Sequence, residues 1–139
     1  MKPICDYIIV DCGVGIQPMN VKVLEQDSAF LLLATPDPMV LNHPRRFVDR
    51  LQSLHFPKEL MKVILNRFSD SGGLSQEVVT QKLQRPILVA FPEDVALCRQ
   101  ATMQAKPFVL GNPRAQLSRH YDEFVRQIVE GKMLEEMDK

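Results

Sequence analysis

The chain has 139 residues, enough for one domain that buries roughly two thirds of its unfolded surface. Hydrophobic residues make up 45% and charged residues 24%, and 17 basic side chains balance 17 acidic ones, so no overall field gathers nucleic acid or an anionic membrane. The longest apolar runs, 29–34 and 86–92, fall far short of a bilayer span, and nothing ahead of Asp6 has the hydrophobic stretch of a signal peptide.

In chain order, Tyr7–Val10 is a short, β-branched apolar run and predicts a strand buried on both faces. Asp11 ends it, and a loop with Gly13 and Gly15 follows. Ligands of open parallel sheets bind just beyond the carboxyl ends of the strands, so Asp11 is a candidate site residue. It reads equally well as a strand-ending Asp that caps its own turn. A helix is expected over 17–26, with Val21 and Leu24 inward, and then a buried strand Ala29–Ala34 closed by Thr35-Pro36-Asp37-Pro38.

Pro44 would break a helix interior, so the next helix is placed with Asn42 as its cap and Pro44 in its first turn. Phe47, Val48, Leu51 and Leu54 then form a core-facing stripe, and Arg45, Arg46, Asp49 and Arg50 a solvated face. Leu60–Asn66 predicts the third strand, followed by a polar turn with Gly72 and Gly73. Ser75 caps a helix that runs to about Gln84, with Leu74 and Val79 as its hydrophobic staple. Ile87–Phe91 predicts the fourth strand, and Asp94 caps a helix over Val95–Gln104. Pro107–Leu110 reads as extended, and Ala115–Glu130 as the last helix, with Leu117, Tyr121, Phe124, Val125 and Ile128 buried. The charged tail 131–139 is expected to fray beyond a domain of residues 1–130.

Alternating strands and helices with continuous apolar strands predict a three-layer α/β/α domain on a mainly parallel sheet. Three strand ends then present polar groups to one rim: Asp11, Asn66, and Pro92-Glu93-Asp94. An Asp can hold the water shell of Mg²⁺, and an Asn carboxamide can both donate to and accept from an adenine edge. Asn66 is also an ordinary turn residue. Cys5, Cys12 and Cys98 are odd in number and lack C-x-x-C spacing, which predicts reduced thiols in the cytoplasm. His43, His55 and His120 form no metal pattern.

The order of DYIIVDCGVG, LLLATPDP, ILNRFSDSGGLS, AFPED and KPFVLGNPRAQL resembles the C-terminal half of the deviant-Walker ATPases. This is the MinD/ParA superfamily, and the likeness, over about residues 5–130, is closest to its CpaE/TadZ-like and FlhG-like branches. The resemblance implies a partial P-loop NTPase fold that binds ATP or ADP with Mg²⁺. In it Asp11 matches the Walker B aspartate that supports Mg²⁺ through water. Gly15 matches the glycine whose amide approaches the γ-phosphate. Asn66 and Arg67 match the adenine-reading motif, and Pro92, Glu93 and Asp94 the loop along the base. It further implies a bacterial, dimeric protein that positions or assembles a pilus, flagellum or division site.

The departure from the family is as informative. Its P-loop lies ahead of the Walker B strand, and nothing like it occurs here, since Gly72-Gly73 is followed by Leu-Ser without a lysine. The water-positioning aspartate would also lie upstream. The chain alone therefore has no catalytic residue and no electrostatic stabilisation for phosphoryl transfer. In the family the P-loop strand sits between the Walker B strand and the one matching Ala29–Ala34. Its loss leaves a gap that either closes up or is filled by another chain, and an open edge that favours self-association. The expected partners are a second copy or a complementing N-terminal half, together with a protein of a polar or envelope machine. No specific nucleic acid is expected. The tail carries only Met133, Leu134 and Met137 as apolar groups, too few for an interfacial helix. The alternative is a non-catalytic dimerisation or partner-docking module. A phospho-acceptor receiver domain fails, because the acidic cluster and late-strand lysine it needs do not occur.

Overall fold

The computed structural model describes residues 6–13 and 29–130. The predicted helix over 17–26, Gly15 and the tail lie outside the described residues. Within them, β1 (Phe30–Ala34), β2 (Met61–Phe68) and β3 (Ile87–Pro92) form one parallel sheet in the order β1-β2-β3. The helices are α1 (Asn42–Ser53), α2 (Gln76–Leu83), α3 (Val95–Met103), the single turn α4 (Phe108–Gly111) and α5 (Gln116–Val129). None is long and apolar enough to cross a membrane.

Strand alternation sorts the core into two layers, as the α/β/α expectation requires. Leu32, Ala34, Val63 and Leu65 face one side, where they pack with Val48 and Leu51 of α1 and Val79 and Leu83 of α2. Ile64 and Phe91 face the other, with Leu97 of α3 and Leu117 and Phe124 of α5. Aromatic rings close both layers. Phe30 stacks on Phe47 with centroids 5.3 Å apart, and Phe91 stacks on Tyr121 at 4.1 Å. Each fully buried aliphatic side chain is worth about 1.5–3 kcal/mol over its exposed state, so the central strand dominates the fold's stability.

The predicted first strand is not formed. Tyr7–Val10 joins no ladder, and Ile8 and Ile9 are 80% and 96% exposed. A strand needs a partner for its backbone groups, and β1, β2 and β3 pair only with one another. Four smaller corrections follow from local hydrogen bonds. Asn42 is the first residue of α1, not its cap, because the turn begins earlier. There Asp37 accepts the Met39 amide on its side chain at 2.8 Å and the Leu41 amide on its carbonyl at 3.0 Å. Leu54 lies past the helix end and is half exposed, and α1 is left through His55 in the left-handed region. Pro107 starts a helical turn instead of an extended piece, its carbonyl accepting the Gly111 amide at 2.9 Å. Val125 is 50% exposed, since α5 turns only Leu117, Ser118 and Phe124 fully inward.

Ser75 and Asp94 cap as the sequence predicts. Ser75 Oγ accepts from the Val78 amide and Asp94 Oδ1 from the Leu97 amide, at 3.4 and 2.9 Å. Arg45 does more than face solvent, because it pairs with Asp49 at 3.1 Å and donates to the Lys82 carbonyl at 2.7 Å, tying α1 to the end of α2.

Candidate functional site

The carboxyl ends of β2 and β3 carry the candidate site. β2 meets β3 at Val63 opposite Ile87, slips by one residue to pair Ile64 with Val89 and Leu65 with Ala90, and pairs again only at Phe68 opposite Pro92. Asn66 and Arg67 thus stand against the single residue Phe91, a bulge that lifts both side chains out of the ladder. Arg67 adopts a left-handed conformation with φ 57, uncommon for a residue with a side chain. The bulge is held from both sides. Asn66 Oδ1 accepts the Arg67 amide at 3.0 Å, and the Arg67 guanidinium meets Glu93 Oε1 at 2.7 Å through Nη2 and 2.8 Å through Nε. The Glu93 amide in turn donates to the Phe68 carbonyl at 2.9 Å.

Five predicted site residues are therefore brought together: Asn66, Arg67, Pro92, Glu93 and Asp94. Asn66 keeps its Nδ2 donor and a second lone pair on Oδ1 open, so its carboxamide retains the donor–acceptor pair that a base edge needs. Asp94 spends Oδ1 on the α3 cap and borders a shallow groove of about 670 Å³. Gln100, Asn112 and Arg114 also line this groove, and Asn112 Nδ2 donates to Gln100 Oε1 at 3.4 Å.

Asp11 is not part of this constellation. Its carboxylate is exposed and accepts the amide of Gly13 at 2.9 Å, the turn-capping role that spacing alone also allowed. Among the described residues no group of three or more potential ligands gathers to hold a metal ion. Among the described residues the Arg67 guanidinium is engaged by Glu93, whereas Arg114 lines the groove that Asp94 borders.

Two supports of the site escaped the sequence. Gly73 (φ +81) runs so close to the loop after β1 that an added Cβ would lie 2.6 Å from the Pro36 carbonyl oxygen, which also accepts the Leu74 amide at 2.8 Å. The loop after β2 is thereby clamped to the loop after β1. The paired glycines signalled a turn, but their partner across the rim is far away in sequence. The second is the Phe68 carbonyl, a backbone acceptor that no side-chain pattern announces.

No family model matches the chain, and no curated protein matches it significantly. Solved structures do. The chain is similar to a ParA family ATPase from Chlorobium tepidum TLS, at 25% identity and a TM-score of 0.78, over 86% of this chain and 50% of that one. It is also similar to the MinC:MinD cell division protein complex of Aquifex aeolicus, at 23% identity and a TM-score of 0.68, over 83% and 48%. The chain spans about half the length of the solved structures it matches, and it has the α/β fold of that half of a ParA/MinD-type ATPase.

Proposed function

We propose that this chain is the adenine-side half of a MinD/ParA-like nucleotide-binding domain, related to the CpaE/TadZ-like and FlhG-like branches. The observation that carries the reading is the bulge at Asn66-Arg67, braced by Glu93 at the ends of two adjacent parallel strands. Asn66 reads the edge of ATP or ADP, Arg67 and Glu93 hold it in place, and Pro92 and Asp94 line the base. Asp11 and Gly15 join through the complementing N-terminal half, with Asp11 supporting Mg²⁺ through water. That half also supplies the phosphate cradle, so the chain alone does not hydrolyse ATP. The completed domain serves in positioning or assembling a cell-envelope machine in the cytoplasm, docked to a protein of that machine. The similarity to a MinD that is in complex with MinC supports a protein partner.

Calorimetric titration with Mg-ATP and Mg-ADP tests the reading. Binding is expected to be weak and to fall further on Asn66→Ala, by the roughly 1–3 kcal/mol that a two-point Asn–adenine contact carries. The absence of heat at millimolar nucleotide from a folded chain would remove the nucleotide reading. The same fold would then serve only as a docking module.

A further inference from the structure

The chain as a whole is neutral, but its charges are not evenly spread. Between Asp94 and Asp122 the sequence holds four Lys or Arg side chains, Arg99, Lys106, Arg114 and Arg119, and no acidic one. All four are exposed, and among the described residues none of them is in an ion pair, whereas Arg45, Arg67 and Arg126 each hold a carboxylate. Charges act over only about 8–10 Å in physiological salt, so a molecule at this surface meets the local excess and not the balanced total. The segment folds as α3, the turn α4 and the start of α5, which follow β3, the edge strand opposite β1. It also carries an apolar groove of about 470 Å³. Ala101, Phe108, Val109 and Tyr121 line it, and the Thr102 hydroxyl on its wall donates to the Cys98 carbonyl at 3.0 Å, away from any occupant. Lys106 is the one charged group of the lining. Its Cδ lies 3.9 Å from where a side chain on Gly111 would begin, and Arg114 stands on the other flank of α4, in the groove that Asp94 borders. Met103 and Leu110 are 81% and 68% exposed.

We propose that this surface docks an acidic amphipathic helix of a partner protein, its apolar side chains in the groove and its carboxylates over Lys106 and the neighbouring arginines. Charge and shape together select this occupant. Duplex nucleic acid matches the cations but has nothing to bury in an apolar groove, and it would leave Met103 and Leu110 in water. A bilayer takes up apolar groups that protrude and does not enter a concavity whose walls are the apolar part. A helix with leucines on one face and acids beside them satisfies both features, a knob for the groove and an opposite charge for its flanks. The cations set orientation and encounter rate, and apolar burial supplies most of the affinity. The groove lies beside β3, whereas the complementing half of the proposed function joins at the β1 edge, so the two do not compete. The docking rests on the protein-partner part of that reading, but it needs no nucleotide and fails separately from the base site.

Fluorescence anisotropy of a labelled synthetic helix, with leucines at i, i+3, i+4 and i+7 and glutamates elsewhere, tests it without nucleotide. A Kd of about 100 µM or tighter is expected, the range of a small transient interface. Lys106→Glu, at an exposed position, is expected to weaken binding by about tenfold or more. Arg46→Glu makes the same charge change on α1, in the opposite layer, and is expected to leave binding unchanged. Asn66→Ala, which bears on the base site alone, is expected to leave it unchanged too. Polyglutamate is expected to bind about tenfold more weakly or worse, because it leaves the groove unfilled. Amide shifts of the unaltered chain on titration must centre on 98–109 and Tyr121, which locates the site whatever the variants do. No binding at about 1 mM helix, polyglutamate as good as the leucine helix, or shifts centred elsewhere would overturn the proposal. Duplex DNA bound in preference to the helix, and released by Lys106→Glu, would mark a nucleic-acid face and overturn it as well.

Discussion

β2 lies at the centre of the sheet with Val63 and Leu65 wholly buried, whereas Ile8 and Ile9, of the same apolar character, stand almost fully exposed. The two stretches differ in neighbours more than in composition. β2 has a parallel strand on each edge and helices over both faces. Tyr7–Val10 has no paired edge at all. An apolar, β-branched run equips a segment to be a strand, but only a partner that satisfies its backbone makes it one.

The sharpest way to break this contrast is to truncate one side chain in each region. Leu65→Ala removes a fully buried side chain between two strands and is expected to cost about 2–5 kcal/mol in urea unfolding. Ile9→Ala is expected to stay within about 0.5 kcal/mol, as for exposed positions generally. Equal losses would show that Tyr7–Val10 is packed in solution.

The glycines sharpen the same comparison at intermediate size. Gly73→Ala sets a Cβ against the Pro36 carbonyl at a positive φ, and a loss of about 1–3 kcal/mol is expected. Gly13 also has a positive φ, at +63, but nothing lies within 4 Å of its added Cβ. Gly13→Ala should therefore cost about 1 kcal/mol or less in the same unfolding measurement.

The smallest expected effect concerns Tyr121, sandwiched between Phe91 and Phe108. Burial, with a lesser contribution from Cys98, pushes its phenol above the ordinary value of 10.0. The folded state thus holds the proton more tightly than the unfolded one. The resulting stability is complete below pH 10 and is lost as the pH climbs through the raised value. Urea midpoints followed from pH 9 to 11 should show a steeper alkaline decline for the native chain than for Tyr121→Phe, which keeps the stacked ring.

Much of the scaffold was legible. Ser75 and Asp94 cap their helices as their side chains dictate, and the strands 30–34, 61–68 and 87–92 lie within two residues of the expected ones. The site was legible in part. Asn66, Arg67 and Glu93 were recognisable as strand-end polar residues in a familiar order, but their bulge and ion pair depend on how β2 and β3 register, which neither segment encodes alone. Asp11 stands apart from that pair, because an Asp after an apolar run looks the same in sequence whether the run is paired or not.

By itself the sequence determined what is local: helix caps, the prolines and glycines that end elements, and apolar runs able to enter a sheet. Those follow from interactions within a few residues. Only the tertiary structure decided which runs pair, that Gly73 must meet Pro36, and that Asn66 and Arg67 stand together against Phe91. These are properties of juxtaposed segments, and sequence spacing carries no record of which backbone groups face one another across a sheet.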